Sequence, residues 1–186
     1  MLKNTSTDYG LVAIALHWLV TVAVIGLFAL GLWMTGLEYY DAWYQRAPDL
    51  HRDIGILLFI VVAFRLVWRW LNPVPRPEST HTRWERRLAP IAHALLYVLL
   101  FAVMIAGYLI STADGRSIEV FGVIAVPATL SGIDNQEDIA GEIHEWLAFL
   151  LIGLSALHAA AALKHHFIDR DRTLRRMLGP GRSTPP

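Results

Sequence analysis

Two histidines on one apolar stretch are the residues of this sequence best suited to chemistry. His144 and His158 lie fourteen residues apart in the segment GEIHEWLAFLLIGLSALHAAAALKHH, residues 141–166. An α-helix turns about 100° per residue, so both imidazoles fall on one face, about 21 Å apart along the axis. That separation places them toward opposite sides of a bilayer core about 30 Å thick. Because a histidine in hydrocarbon is costly, the pattern predicts two stacked cofactor sites, each needing a second histidine from elsewhere in the chain.

The composition is that of a membrane protein with several spans. Of the 186 residues, 55% are hydrophobic and only 17% are charged, which is too apolar for a soluble domain of this size. The net charge of zero gives no indication of nucleic acid, and we predict no such partner. The absence of cysteine excludes disulfides, thiolate-held iron–sulfur clusters and covalent haem attachment. Any metal must therefore bind histidine or carboxylate.

Four apolar runs predict an all-α, integral membrane four-helix bundle, with helices at about residues 11–35, 51–71, 88–111 and 141–166. They form one transmembrane domain over residues 1–178, followed by a disordered tail at 179–186. No cleavage site follows the first run, so we expect it to be retained. The connector EVFGVIAVPATL, residues 119–130, is apolar but too short to span, and we interpret it as a surface-lying or re-entrant segment.

Arginine placement predicts the orientation of the helices. The connector between the second and third helices and the C-terminal segment hold most arginines, whereas the other two connectors hold nine carboxylates against Arg46 and Arg116. By the positive-inside rule both termini face the cytoplasm. The basic residues after the last helix, such as Arg175 and Arg176, then meet anionic lipid.

This orientation supplies a partner for each histidine of the fourth helix. His51 begins the second helix on the outer side, level with His144, and His17 lies on the inner side, level with His158. Two imidazoles facing each other in an apolar bundle form a bis-histidine haem site suited to electron transfer. Gly55, one turn after His51, leaves room for a flat macrocycle. The sequence thus predicts two non-covalent haem b groups, with interhelical hydrogen bonding of the histidines as the alternative.

Three arginines are candidate partners of haem propionates. Arg65 and Arg69 are four residues apart toward the inner end of the second helix, and Arg52 adjoins His51. The alternatives are topology signals for the first two and a headgroup contact for the third.

Two more histidines are candidate quinone contacts on the inner side. His93 is interpreted as a quinone contact, a propionate partner or an alternative haem ligand. His165 lies on the same face as His158, seven residues further on, where it could donate a hydrogen bond and a proton to a quinone or act as a snorkelling interfacial residue. His81 and His166 are expected to be solvated.

The chain resembles the bacterial cytochrome b561 family over about residues 10–178. The resemblance rests on ALHWLV, LHRDIGILLFIVVAFRLVWRWLNPVPRP, APIAHALLYVLLF, IHEWLAFLLIGLSALHAAAALKHHF and DRTLRRML. The ligand pattern of the wider group, which includes the cytochrome b subunits of formate dehydrogenases and nickel–iron hydrogenases, implies pairing of His17 with His158 and of His51 with His144. Similarity to the stand-alone members implies a superoxide:ubiquinone oxidoreductase, in which superoxide donates electrons at the outer haem and ubiquinone is reduced near the inner one.

Two other functions remain open. A receptive surface for superoxide is expected to be basic, whereas the outer connectors here are acidic and suit a basic protein partner. The chain is then a membrane-anchor subunit that passes electrons between a dehydrogenase or hydrogenase partner and quinone. The last alternative is a haem-free membrane protein whose histidines bind another metal or conduct protons.

Overall fold

The computed structural model describes residues 1–179, and the predicted tail at 180–186 lies outside them. Within the described residues, the helices long and apolar enough to cross a membrane are α1 (Leu11–Met34), α2 (Arg46–Leu71), α3 (Arg83–Ser111) and α4 (Gln136–Phe167). The predicted all-α membrane fold is therefore confirmed. Large apolar side chains such as Val22, Ile25 and Leu157 are exposed on these helices, as expected for residues that face lipid.

Helices α2, α3 and α4 each begin about five residues earlier than the apolar pattern indicated. In α2, Pro48 is accommodated in the first turn, where its missing N–H would have no intrahelical acceptor. As a result, His51 lies in the second turn of the helix rather than at its start. In α3, the Thr82 N–H donates to Glu85 Oε2 at 2.7 Å and the Glu85 N–H donates to Thr82 Oγ1 at 3.3 Å. This reciprocal capping box defines the start of the helix.

The connector between α3 and α4 contains a short β-hairpin, which its composition did not predict. Strands β1 (Ile118–Val120) and β2 (Ile124–Val126) pair antiparallel. The paired residues are Ile118 with Val126, Glu119 with Ala125, and Val120 with Ile124. Phe121 and Gly122 have φ angles of 49° and 67°, which turn the chain between the strands. The Phe121 N–H donates to Oδ2 of buried Asp53 at 3.1 Å, so α2 anchors the hairpin.

The contacts divide the chain into two compact units, each contributed to by several helices. One unit comprises Met1–Val20, Val61–Tyr97 and the chain from Gly153 onward, and the other comprises Thr21–Ile60 and Val98–Ile152. The first contains His17 and His158, and the second contains His51 and His144. Each predicted histidine pair therefore belongs to a single unit.

The two ends of the chain are joined within the first unit. Arg172 Nη2 donates to Asp8 Oδ1 at 2.6 Å, and the Trp18 indole N–H donates to the Met177 carbonyl at 2.7 Å. These contacts tie the segment after α4 to the segment before α1 and to the first turns of α1.

Candidate functional site

The structure brings His51 and His144 together. Their ring centroids are 6.0 Å apart and their planes meet at 71°. Two imidazoles that bind one metal ion from opposite sides have centroids about 6 Å apart, because each metal–nitrogen bond is about 2 Å and each ring centre lies roughly 1 Å behind its nitrogen. Edge-on contacts between aromatic rings have a similar separation. The hydrogen bonds of the ring nitrogens are therefore needed to distinguish a metal-binding pair from an ordinary ring contact.

His144 is held in the tautomer that leaves Nε2 available as a ligand. Its Nδ1 lies 2.8 Å from the carbonyl oxygen of Val103 on α3. A carbonyl only accepts, so the hydrogen-bond geometry assigns the proton to Nδ1 and the lone pair to Nε2. This arrangement, in which the distal nitrogen donates to a backbone carbonyl, is typical of histidines that bind metals.

Gly107, one turn after Val103, makes room for this contact. A Cβ added at Gly107 would lie 3.1 Å from Cε1 and 3.2 Å from Nδ1 of His144, closer than such atoms normally pack. At Gly31 on α1, an added Cβ would lie 3.4 Å from Cε1 of His51, which is ordinary contact. Neither glycine was predicted from the sequence to be part of a site, although an isolated glycine in an apolar helix is a signal of close approach.

His51 has a buried Nδ1 with no hydrogen-bond partner among the described residues. Leaving a buried nitrogen unpaired costs free energy. A structural hydrogen bond at Nδ1 therefore does not explain why His51 is buried here. At Gly55, one turn further along α2, an added Cβ would meet nothing within 4 Å. These two observations fit a flat ligand beside His51 on α2.

A polar cavity of about 560 Å³ lies in the same unit, lined by α2 and the connector that contains the hairpin. Its two arginines are both paired with carboxylates: Arg52 with Asp49 on α2, and Arg116 with Asp114 at 2.5 Å. The backbone N–H and guanidinium of Arg116 hold the pKa of Asp114 below its usual range. Asp53 and further carboxylates also line the cavity, so it carries no unpaired positive charge from these arginines.

In the first unit, His158 lies near both His17 and His93. The His17 and His158 centroids are 6.3 Å apart with planes at 73°, whereas those of His93 and His158 are 5.2 Å apart. The separation of about 6 Å needed for two imidazoles on one metal is met by His17, while His93 lies about 1 Å too close.

Arg65 on α2 contacts the His17 imidazole. Its Nη2 donates to Nδ1 of His17 across 3.0 Å, and its guanidinium lies 5.4 Å from the centroid of the Tyr97 ring. A neutral imidazole that binds a metal through Nε2 carries its proton on Nδ1, where it cannot accept from Arg65. Ligation through Nε2 therefore requires Arg65 to turn toward another acceptor. Arg69 lies one turn further along α2 and is half-buried.

His165 lies in a polar cluster of the first unit that the sequence analysis did not foresee. It is only 8% exposed, its Nδ1 is 2.7 Å from Asp169 Oδ2, and its ring stacks on His81 with centroids 4.3 Å apart. The prediction of a solvated His81 is wrong, because this side chain is only 13% exposed. The burial of His165 also contradicts the snorkelling alternative.

The carboxylates of this cluster are stabilised in their ionised form. The Lys164 ammonium, followed by His165, lowers the pKa of Asp169 by hydrogen bonding. Burial alone would raise the pKa of Asp171, but hydrogen bonds from Thr173 and Thr80 outweigh it and lower the pKa. Both groups therefore remain negatively charged near neutral pH.

Comparison with known proteins is consistent with this geometry. The family model described as prokaryotic cytochrome b561 matches residues 8–180. The chain is 52% identical to cytochrome b561 homolog 2 of Escherichia coli K12, over 97% of this chain and 96% of that protein. It is 28% identical to cytochrome b561 homolog 1 of the same organism, over 89% and 93% of the two chains. It is also 28% identical to a protein of Yersinia pestis named probable superoxide oxidase CybB, over 91% and 95%.

These matches span nearly the whole chain and agree with its four membrane-spanning helices and paired histidines. The chain therefore belongs to the prokaryotic cytochrome b561 family, whose members are multi-pass membrane proteins that bind haem b and transfer electrons.

Proposed function

We propose that this protein binds two haem b groups, one between His17 and His158 and one between His51 and His144. The observation that carries the proposal is the hydrogen bond from His144 Nδ1 to the Val103 carbonyl, which leaves Nε2 as the ligating atom. The 6.0 and 6.3 Å centroid separations of the two pairs support it. When bound, such a bis-histidine haem supplies one-electron transfer, with little room for an exogenous ligand at the iron.

The protein's own part is to position the imidazoles and to balance charge. The Val103 carbonyl fixes the ring of His144 and increases its basicity. Arg65, Arg69 and Arg52 are proposed to pair with haem propionates, since an arginine binds a carboxylate with two parallel hydrogen bonds. For Arg65 this pairing would supply the acceptor that ligation by His17 requires.

The proposed reaction is transfer of electrons from a periplasmic donor to the quinone pool, with superoxide as the donor and ubiquinone as the acceptor. Two superoxide anions are oxidised to two molecules of O₂, and ubiquinone takes up the two electrons and two protons to become ubiquinol. Support comes from the relative named probable superoxide oxidase. The arginine distribution supports an orientation with both termini in the cytoplasm of a bacterial inner membrane.

The quinone is proposed to bind in the first unit, near His93 and His165. His165 is buried against Asp169, at a hydrogen-bond distance of 2.7 Å. An imidazole held by a carboxylate is suited to hold a proton and to transfer it to a reduced quinone oxygen.

A second candidate function follows from the polar cavity lined by α2 and the hairpin connector. Both Arg52 and Arg116 are paired with carboxylates, and the connectors on that side are acidic. Such a surface favours a basic protein donor over an anion. In that case the chain is the cytochrome b subunit of a dehydrogenase or hydrogenase and exchanges electrons with a protein partner.

The deciding experiment uses detergent-purified protein. A pyridine haemochrome assay is expected to give two haem b per chain, and about one in the His144→Ala variant. Superoxide is then expected to reduce the haem within the mixing time, and ubiquinone to reoxidise it. Two haems that do not respond to superoxide would retain the ligand assignment but favour the protein donor, whereas a colourless protein would refute the haem proposal and favour the haem-free alternative.

A further inference from the structure

Three potential metal ligands from separate parts of the first unit converge outside the proposed haem sites. His81 belongs to the connector between α2 and α3, His165 to the last turn of α4, and Asp171 to the segment after it. Their ligand atoms all lie within 4.8 Å of one another. The side chains are 13%, 10% and 3% exposed, so this is an enclosed set rather than a surface group.

The two distances from the Asp171 carboxylate to the imidazoles match those between ligands of one ion. Asp171 Oδ2 lies 3.2 Å from His81 Nε2 and 3.5 Å from His165 Nδ1. Both distances are longer than the commonest N–H···O hydrogen-bond distance of about 2.9 Å. Ligand atoms around a tetrahedral Zn²⁺ are about 3.4 Å apart, given metal–ligand bonds of about 2.0–2.2 Å.

The shared carboxylate is oriented by contacts from both sides. The Thr80 hydroxyl donates to Asp171 Oδ2 at 3.0 Å, and the Thr173 N–H donates to Oδ1 at 2.8 Å. Hydrogen bonds of this kind direct a metal-binding carboxylate and hold its charge in place. The preceding residue, Arg170, has a φ of 54°, and the Asp171 N–H donates to the His165 carbonyl at 3.0 Å. A non-glycine residue in this strained region brings Asp171 back onto the end of α4.

The surrounding charges leave Asp171 available to a cation. The Lys164 ammonium is taken up by Glu85 at 2.6 Å and Asp169 at 2.7 Å. Arg172, next to Asp171, pairs instead with Asp8. Asp171 therefore has no lysine or arginine partner among the described ion pairs, and its partners there are the imidazoles of His81 and His165.

We infer that His81, His165 and Asp171 form a binding site for a divalent transition-metal ion, of which Zn²⁺ is the best match. Two imidazole nitrogens and one carboxylate oxygen suit Zn²⁺, with a water molecule as the fourth ligand. Mg²⁺ and Ca²⁺ prefer six or more oxygen ligands, which this set does not offer. The inference goes beyond the proposed electron transfer and does not depend on it.

The site has one consequence for the proposed function. His165 Nδ1 lies 2.7 Å from Asp169 Oδ2, so a metal bound to Nδ1 would replace that hydrogen bond and its proton. The imidazole could then no longer be protonated for transfer to quinone, so Zn²⁺ is expected to slow ubiquinone reduction. This part alone depends on the proposed quinone site, and it is measured separately from metal binding.

The test is a Zn²⁺ titration of haem-loaded, chelator-treated protein against a chromophoric zinc indicator. We expect one Zn²⁺ per chain, and at least a tenfold weaker affinity in His81→Gln and in Asp171→Asn. His166→Ala is the matched control, because it removes a neighbouring imidazole outside the set and is expected to bind Zn²⁺ like the original chain. His165 is left intact, since it is also a proposed quinone contact, and unchanged haem content shows that each variant is folded.

Three results would overturn the inference. They are no stoichiometric Zn²⁺ binding, unchanged affinity in both His81→Gln and Asp171→Asn, and equal competition by millimolar Mg²⁺, which would indicate a general acidic surface. X-ray absorption of the zinc-loaded protein gives an independent check, because two imidazoles per zinc are expected. If Zn²⁺ binds stoichiometrically but leaves ubiquinone reduction unchanged, the metal site stands and the proposed role of His165 at the quinone fails.

Discussion

His144 on α4 places its Nδ1 2.8 Å from the main-chain oxygen of Val103 on α3. The acceptor is a backbone atom, so no side-chain substitution at position 103 removes it. The contact depends instead on Gly107, whose missing side chain lets the imidazole approach α3. The orientation of a proposed haem ligand is thus determined by a residue on the neighbouring helix.

Replacing Gly107 with Ala is therefore expected to disturb His144 without weakening α3. Alanine favours the helix by about 1 kcal/mol over glycine, but its Cβ would lie 3.1 Å from the imidazole. Loss of the hydrogen bond would make the ligand less basic and raise the midpoint potential of one haem by on the order of 30 mV. Redox titration measures this shift. Gly26→Ala is the control, because that glycine is exposed and an added Cβ meets nothing within 4 Å; equal potentials in both variants would contradict the argument.

His17 and His93 are expected to differ in their effect on haem content. The 6.3 Å separation of His17 from His158 suits a shared iron, whereas the 5.2 Å separation of His93 does not. In the pyridine haemochrome assay, the haem content of His17→Ala should be about one per chain instead of two, whereas that of His93→Ala should remain two. The reverse result would make His93 the partner of His158.

Arg65→Gln is expected to lower the potential of the haem in the first unit. Removing a nearby positive charge destabilises the reduced haem. At short range in a protein this lowers the midpoint potential by on the order of 50 mV. Arg83→Gln serves as the control, since Arg83 is an exposed residue at the start of α3. A potential that is unchanged or higher in Arg65→Gln would show that the guanidinium does not act on the haem.

The donor can be distinguished by charge. The double variant Asp49→Asn, Asp114→Asn frees Arg52 and Arg116 from their carboxylates. For superoxide, an anion, the second-order rate of haem reduction should rise by about 2- to 5-fold at low ionic strength and return toward the original value in salt. A fall in rate with a basic protein donor would favour the second candidate function.

Glu137→Gln, Asp138→Asn makes the same change in net charge at exposed positions in the first turn of α4, which do not line the cavity. If both double variants increase the rate of haem reduction by superoxide equally, the effect comes from the net charge of this side of the protein. The arginines of the cavity then have no special part. If neither does, superoxide is not steered by charge on this side of the protein.

The fold was predictable because hydropathy and helical periodicity are local properties. They located the four helices and placed His144 and His158 on one face, and the structure confirms the membrane fold. The helix starts were missed because Pro48 and the Thr82–Glu85 capping box extend the helices into polar sequence that carries no apolar pattern. The hairpin was missed because Phe121 and Gly122 have positive φ angles and the anchoring Asp53 is distant in sequence.

The candidate sites were only partly predictable for a similar reason. Residue types and depth suggested the pairing of His17 with His158 and of His51 with His144, and the haem ligation of these residues stays a prediction. The Val103 acceptor and the stacking of His81 on His165 depend on how helices and connectors are rotated against one another. No spacing rule within one segment contains that information.

The joining of the chain's two ends bears on how the protein is made. A chain released after α4 would already contain all four spans and both histidine pairs, yet Asp8 and Trp18 would lack Arg172 and Met177, their partners from the final segment. Because synthesis proceeds from the N-terminus, these contacts form only after Arg172 and Met177 have left the ribosome. A premature stop between the end of α4 and Arg172 would thus leave an inserted protein in which Asp8 and Trp18 have lost both of these contacts.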